Sequence, residues 1–239
     1  MRSLLMGGQA CVLYGAAEFS RDTDLAILAS SSNLAKLRGA LSDLQAEVIA
    51  VPPFNIRYLR KGHSIHFRCH QADAAGMRID VMTRMRAVDP FPALWRRRTT
   101  MTLDNELECN LLSLPDLVKA KKTQRDKDWP MIRRLVEVSY FEHRDRPTQP
   151  QLRFWLLELR TPELLIELAT RQPQLRNRLA KIRPLLKEAA AGRETLLAEA
   201  LLREESAERE ADRRYWSPLK QELEQIRLSR RDLNHRKGK

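Results

Sequence analysis

Apolar positions in the first 140 residues fall into short runs, and these runs alternate with stretches of helical spacing. Residues 3–6, 25–29, 47–51, 64–69, 78–83 and 106–112 have the length and side-chain content of strands. Between them, Leu34, Leu37, Leu41 and Leu44 recur at intervals of three and four, which predicts an amphipathic helix over residues 34–44. Strands interleaved with helices predict an α/β (α+β) fold, a mixed sheet flanked by helices, across residues 1–145.

The pattern changes after Arg144-Asp145-Arg146-Pro147-Thr148-Gln149-Pro150, which reads as a linker. Beyond it the chain is rich in Leu, Ala, Glu and Arg and poor in β-branched residues, so residues 146–239 form a helical C-terminal region. Helices are predicted at 151–159, 162–171, 174–190, 193–214 and 218–228, followed by a basic tail, Asn234-His235-Arg236-Lys237-Gly238-Lys239, expected to fray.

Charge adds a constraint on partners. The 239 residues carry 43 Lys+Arg against 31 Asp+Glu, a formal charge of +12 that favours polyanions. Arg96-Arg97-Arg98 after Trp95 is the local candidate for holding phosphate and base together. Cys11, Cys69 and Cys109 are scattered and odd in number, which disfavours a disulfide framework and fits a cytoplasmic location. His63, His66, Cys69 and His70 lack zinc-site spacing, since a strand turns His66 and Cys69 to opposite faces. Residues 1–14 imitate an export signal, but Gly7-Gly8-Gln9 interrupts the apolar core. No apolar run is long enough to cross a bilayer, so no membrane partner is expected.

The chemistry concentrates in Asp22-Thr23-Asp24. Two carboxylates two residues apart at the start of a strand project to one side. Their mutual repulsion is relieved by a cation, and hard oxygen pairs suit Mg²⁺. An isolated D-x-D is common in caps and strand ends; the glycine pair Gly7-Gly8, 15 residues upstream of Asp22, is what gives this one meaning.

Met6-Gly7-Gly8 followed by Asp22-Thr23-Asp24-Leu25-Ala26-Ile27 resembles the signature of the nucleotidyltransferase superfamily that includes DNA polymerase beta. It is most similar to small bacterial members, among them abortive-infection and toxin–antitoxin proteins and antibiotic nucleotidyltransferases. The resemblance implies a nucleotidyltransferase-type sheet and an ATP-binding or other NTP-binding enzyme. Such an enzyme uses Mg²⁺ or Mn²⁺ to move an NMP to a hydroxyl, releasing pyrophosphate. It assigns Asp22, Asp24 and Asp80 as catalytic and metal-binding, with Asp80 helping to take the acceptor's proton. Gly7, Gly8, Ser20 and Arg21 are assigned to the nucleotide. Members of the family usually carry a helix before the first strand, which here opens almost at Met1.

A second segment carries the resemblance further. Pro115-Asp116-Leu117, Lys121 and Arg125-Asp126-Lys127-Asp128 match a helix of the small bacterial members. Lys121 and Arg125, at i and i+4, are expected on one helix face toward the triphosphate. Asp128 is expected to cap the helix opened by Trp129-Pro130. One departure stands out: relatives often carry arginine where this chain has Glu18, with Arg21 as the replacement.

The net charge favours an RNA acceptor such as tRNA, with protein or a small molecule as alternatives, and the resemblance adds an antitoxin protein as a partner. Two other readings compete. One is a nucleotidyltransferase-like binding or regulatory module, motivated by Glu18. The other is an RNA-binding protein whose acidic cluster is accidental.

Overall fold

The computed structural model describes residues 1–103 and 106–237, with side chains to residue 231. The chain divides into two compact units: Met1–Leu13, Ala17–Ala120 and Arg214–Lys239 form the first, Tyr14–Ala16 and Lys121–Arg213 the second.

The first unit is an α/β sheet structure. In chain order it contains β1 (Ser3–Met6), α1 (Gly7–Leu13), β2 (Asp22–Ile27), α2 (Ser31–Asp43), β3 (Glu47–Val48), α3 (Ile56–Lys61), β4 (Ile65–Arg68) and β5 (Arg78–Met82). It continues with α4 (Phe91–Arg96), β6 (Thr99–Thr102), β7 (Glu108–Leu111) and most of α5 (Leu114–Lys121). Among the described residues the sheet has seven strands in the order β3-β4-β5-β2-β1-β7-β6. It is mixed: β2 runs antiparallel to β1 and parallel to β5, while β4 runs antiparallel to β5.

Alternation along the strands decides which side is apolar. Ile27, Ile65, Phe67, Ile79 and Val81 bury against Leu34, Leu37 and Leu41 of α2 and Tyr58 and Leu59 of α3. The leucine stripe is the buried face of α2, except that Leu44 is its C-cap and only partly buried. Ser30 caps that helix by accepting from the Asn33 amide at 3.2 Å. Buried Asn33 in turn donates to the carbonyls of Arg2 and Leu28, tying the start of β1 to the end of β2. Alternate residues of the same strands leave the opposite face free for polar side chains.

The second unit is helical: α6 (Asp128–His143), α7 (Gln149–Glu158), α8 (Pro162–Arg171), α9 (Pro173–Leu179), α10 (Leu186–Ala190) and the first part of α11 (Glu194–Lys237). Its core centres on Trp155, whose indole donates to Ser139 Oγ at 3.1 Å and meets Tyr140 edge-on at 5.2 Å. Arg183 and Arg160, both buried, converge on Glu204 at 2.9 Å each. Residues 144–148 turn between α6 and α7, and Thr148 forms a capping box with Gln151.

Several element expectations are corrected. The apolar pattern does not predict strand β6, because Thr99–Thr102 is a mostly polar strand with only half-buried alternate positions. The helix expected over 174–190 splits in two, since Pro184 cannot continue α9 and Arg183 must turn inward. Conversely, the helices expected at 193–214 and 218–228 are one, with Pro218 inside it. That helix runs to Lys237, past the point where the tail was expected to fray, and Gly238 and Lys239 lie outside the described residues. No described helix is long and apolar enough to cross a membrane.

Candidate active site

Strand β2 begins at Asp22, so Asp22 and Asp24 share one face of the sheet and Thr23 and Leu25 the other. Parallel pairing with β5 puts Asp24 beside Asp80 and Asp22 beside Arg78. Antiparallel pairing with β4 puts His66 on the far side of Asp80. Residues directly opposite across a ladder point the same way, so three carboxylates, an arginine and a histidine occupy one polar face. This face is opposite the one packed by α2 and α3.

The glycine pair is explained by close approach. Gly7 has φ +67°, and a Cβ built there would stand 1.8 Å from Asp24 Oδ2. A Cβ on Gly8 would stand 2.3 Å from Ser20 Oγ. The turn from β1 into α1 is therefore glycine because Asp24 and Ser20 press against its backbone. Ser20 is held locally, its hydroxyl donating to the Asp22 carbonyl at 3.2 Å and its own carbonyl accepting from Gln9 Nε2 at 3.0 Å. Gly7, Gly8, Ser20, Asp22, Asp24 and Asp80 are thus gathered at one end of β1 and β2. Arg21 adjoins them in sequence with an exposed side chain, and Glu18 is also exposed.

Basic side chains already stand at the carboxylates. Arg78 Nη2 lies 3.1 Å from Asp80 Oδ2, and Arg78 Nε lies 3.8 Å from Asp22 Oδ1. His66 Nδ1 lies 2.8 Å from Asp80 Oδ1. The Asp22 side chain is 44% exposed while that of Asp80 is 13% exposed. Burial pushes the Asp80 carboxyl upward, but His66 and Arg78 outweigh it and hold the group below the usual carboxylate range. Sequence reasoning passed over His66 as a site residue. Its signal was the period of two, which places it across from Asp80 once β4 and β5 pair.

Lys121 and Arg125 do not share a helix face. Helix α5 ends at Lys121, and Arg125 lies in the turn before α6. Both cations bind Asp128 instead, Lys121 Nζ at 3.0 Å and Arg125 Nε at 2.8 Å, while Thr123 Oγ1 donates to it at 2.6 Å. Asp128 is 1% exposed and makes no capping bond, so the expected cap is a buried ion-pair hub. Trp129 Nε1 closes the turn by donating to the Thr123 carbonyl at 2.8 Å.

The arginine triple is also largely committed. Arg97 forks onto Asp116 at 2.7 and 2.8 Å and reaches Asp89 at 2.6 Å. Arg98 lies 4.4 Å over the Trp95 ring and donates to Asn110 Oδ1 at 2.7 Å. Trp95 also stacks on Phe91, with centroids 5.8 Å apart. Beyond the carboxyl ends of β2 and β5, a separate cleft of about 930 Å³ is lined by Ile27, Thr83, Arg84, Phe91, Tyr215 and Leu219 among others.

Among the described residues, no group of three or more His, Cys, Asp or Glu side chains stands close enough together to hold a metal ion, the polar face included. That face offers carboxylate oxygens on adjacent strands, and their charge already attracts a guanidinium and an imidazole. No protein-family model matches the chain, and no curated protein matches it in sequence.

Proposed function

We propose that the chain is a metal-dependent nucleotidyltransferase, transferring a nucleoside monophosphate from an NTP to a hydroxyl acceptor. One observation carries the reading: Asp22 and Asp24 on β2 and Asp80 on β5 occupy one face of adjacent strands, with Asp24 seated on the bare Cα of Gly7. In the reaction the acceptor oxygen bonds to the α-phosphorus, the bond from that phosphorus to the bridging oxygen breaks, and pyrophosphate leaves. Mg²⁺ or Mn²⁺, when bound, would neutralise the charge developing on these oxygens.

The chain's own residues take defined parts. Asp22 and Asp24 would hold the cation, and the glycine turn lets the Asp24 carboxylate and the Ser20 hydroxyl seat against bare backbone. Asp80, kept ionised by its two basic neighbours, orients the cation and accepts the acceptor's proton only after those contacts loosen. The +12 charge favours RNA as acceptor, with protein or a small molecule next, and an antitoxin protein as regulator. Cytoplasmic action fits the scattered cysteines.

Incubation with each α-labelled NTP and a cell extract, followed by separation of RNA, protein and small molecules, tests this. Label is expected in one fraction, and Asp22→Ala and Asp24→Ala are expected to abolish it. Transfer that survives both substitutions ends the reading.

A second reading has its own support. Arg78 and His66 already crowd Asp80, and Glu18 stands where the resembling proteins often carry arginine, as in a module that binds without catalysing. Calorimetric titration with Mg²⁺ and each NTP separates the two, since a module that has lost the site gives no metal-dependent nucleotide heat.

A further inference from the structure

The cleft of about 930 Å³ beyond the carboxyl ends of β2 and β5 is lined entirely by residues of the first unit. Its volume suits a small organic molecule rather than a single ion. Ile27, in its wall, stands at the opposite end of β2 from Asp22 and on the other face from Asp22 and Asp24, so the cleft is separate from the acidic face. The walls are mainly apolar: Ile27, Met85, Val88 and Phe91, with Pro218 and Leu219 from α11. Helix α11 is fixed to the end of α3, because Glu222 meets Lys61 Nζ at 2.5 Å and the buried His63 Nε2 at 3.0 Å. Gly62 permits the approach, since a Cβ there would stand 3.3 Å from Tyr215 Oη and 3.6 Å from Leu219 Cδ1. The walls are therefore set by contacts of the protein itself, as in a pre-formed pocket.

The polar side chains of the cleft divide into two groups. Thr83 Oγ1 donates to the Leu59 carbonyl at 2.6 Å, Lys61 is held by Glu222, and Asp89 Oδ2 accepts from Arg97 at 2.6 Å. Arg60 and Arg84 are not committed in this way. Arg84 Nη1 donates to the Arg60 carbonyl at 3.1 Å, which brings the two residues to one rim, and neither guanidinium meets a carboxylate among the described residues. An apolar space with an uncompensated positive rim is complementary to a molecule with an apolar body and an anionic end. Little side-chain polarity is left to read the edge of a nucleobase, which favours an apolar body over a nucleotide.

We propose that this cleft binds a small carboxylate with an apolar body, the body lying against Ile27, Phe91 and Leu219 and the carboxylate meeting Arg60 and Arg84. The test is calorimetric titration of the full chain at pH 7 with two probes, 2-naphthoate and decanoate, each beside its neutral amide. At least one carboxylate is expected to bind roughly tenfold more tightly than its amide, the scale of a hydrogen bond to a charged group. Preference for naphthoate assigns a ring as the body, and preference for decanoate a chain.

Arg60→Gln and Arg84→Gln are each expected to weaken carboxylate binding roughly fivefold, as loss of an exposed charge contact does. Both side chains are exposed, so the fold is expected to persist by circular dichroism. Arg60→Gln carries the test should loss of the Arg84 bond to the Arg60 carbonyl disturb the rim. Arg57→Gln is the control for charge alone: Arg57 is exposed on α3 and lies outside the cleft lining. It is expected to change affinity less than about twofold, as a screened charge without contact does.

Absence of binding by both carboxylates, equal binding of carboxylate and amide, unchanged affinity in both rim variants, or an equal loss from Arg57→Gln overturns the site. None of these outcomes bears on nucleotidyl transfer, which stands or falls with Asp22 and Asp24.

Discussion

Asp24 and Gly7 are mutually dependent: the carboxylate of one occupies the volume that any side chain on the other would need, with Oδ2 1.8 Å from where a Cβ would stand. The positive φ of Gly7 adds a second reason for glycine.

Gly7→Ala is therefore expected to cost about 1 kcal/mol or more from backbone conformation alone. It is also expected to push Asp24 off its seat and abolish metal-dependent nucleotide binding while the helices persist. Circular dichroism melts and calorimetry with Mg²⁺ and NTP check the two parts. Gly8→Ala is expected to displace Ser20, because the added Cβ would stand 2.3 Å from its Oγ and 2.9 Å from its Cβ, and rotating the hydroxyl relieves only the first contact.

Asp128 gives a prediction with a pH signature. Burial pushes its carboxyl up, but Lys121, Thr123 and Arg125 outweigh this and hold it below the usual range. A carboxyl depressed in the folded state adds stability that is fully present above its unfolded value, about 3.9, and is lost as pH falls through the folded value. Asp128→Asn is expected to lose about 3 kcal/mol at pH 7, since it strands Lys121 at 12% side-chain exposure. Urea melts from pH 7 downward should show the gap to wild type closing in acid.

Glu204 stands between two buried guanidiniums, Arg160 at 7% and Arg183 at 4% side-chain exposure. Glu204→Gln leaves Arg183 without its counter-charge and Arg160 with only Glu205 at 4.0 Å, and is expected to destabilise the helical unit by about 3 kcal/mol. The exposed pair Arg203–Glu199, 69% and 55% exposed, is the contrast. Glu199→Gln is expected to cost under about 0.5 kcal/mol in the same denaturation experiment.

Pro218 lies inside α11, where it supplies no amide for the helix ladder. Pro218→Ala is expected to raise stability by about 1–3 kcal/mol, read as a higher urea midpoint. The residue also lines the cleft beyond the carboxyl ends of β2 and β5, so an unchanged midpoint would mean that its packing there offsets the backbone gain.

The sheet and its acidic face were legible because the period of two reports on them directly. Asp22, Asp24 and Asp80 each flank apolar strand residues, and the strands formed where those runs lay. The charged helix ends were less legible. Lys121 and Arg125 have the spacing of a shared helix face, yet spacing cannot show that Asp128 folds back to collect both charges at a break. Pro218 misled in the other direction, because a proline lowers helix propensity locally while the packing of Tyr215 and Leu219 near Gly62 favours continuing the helix. Strand β6 carries a single apolar residue, Met101, too little for a period-two pattern, and it pairs along its length with β7.

β2 is hydrogen-bonded on both sides, to β1 and to β5. Loss or gain of a single codon within it would rotate Asp22 and Asp24 together into the oily side against α2, so the two acids are inherited as a unit. Mutational drift can erase both in one event far more readily than it can reposition either.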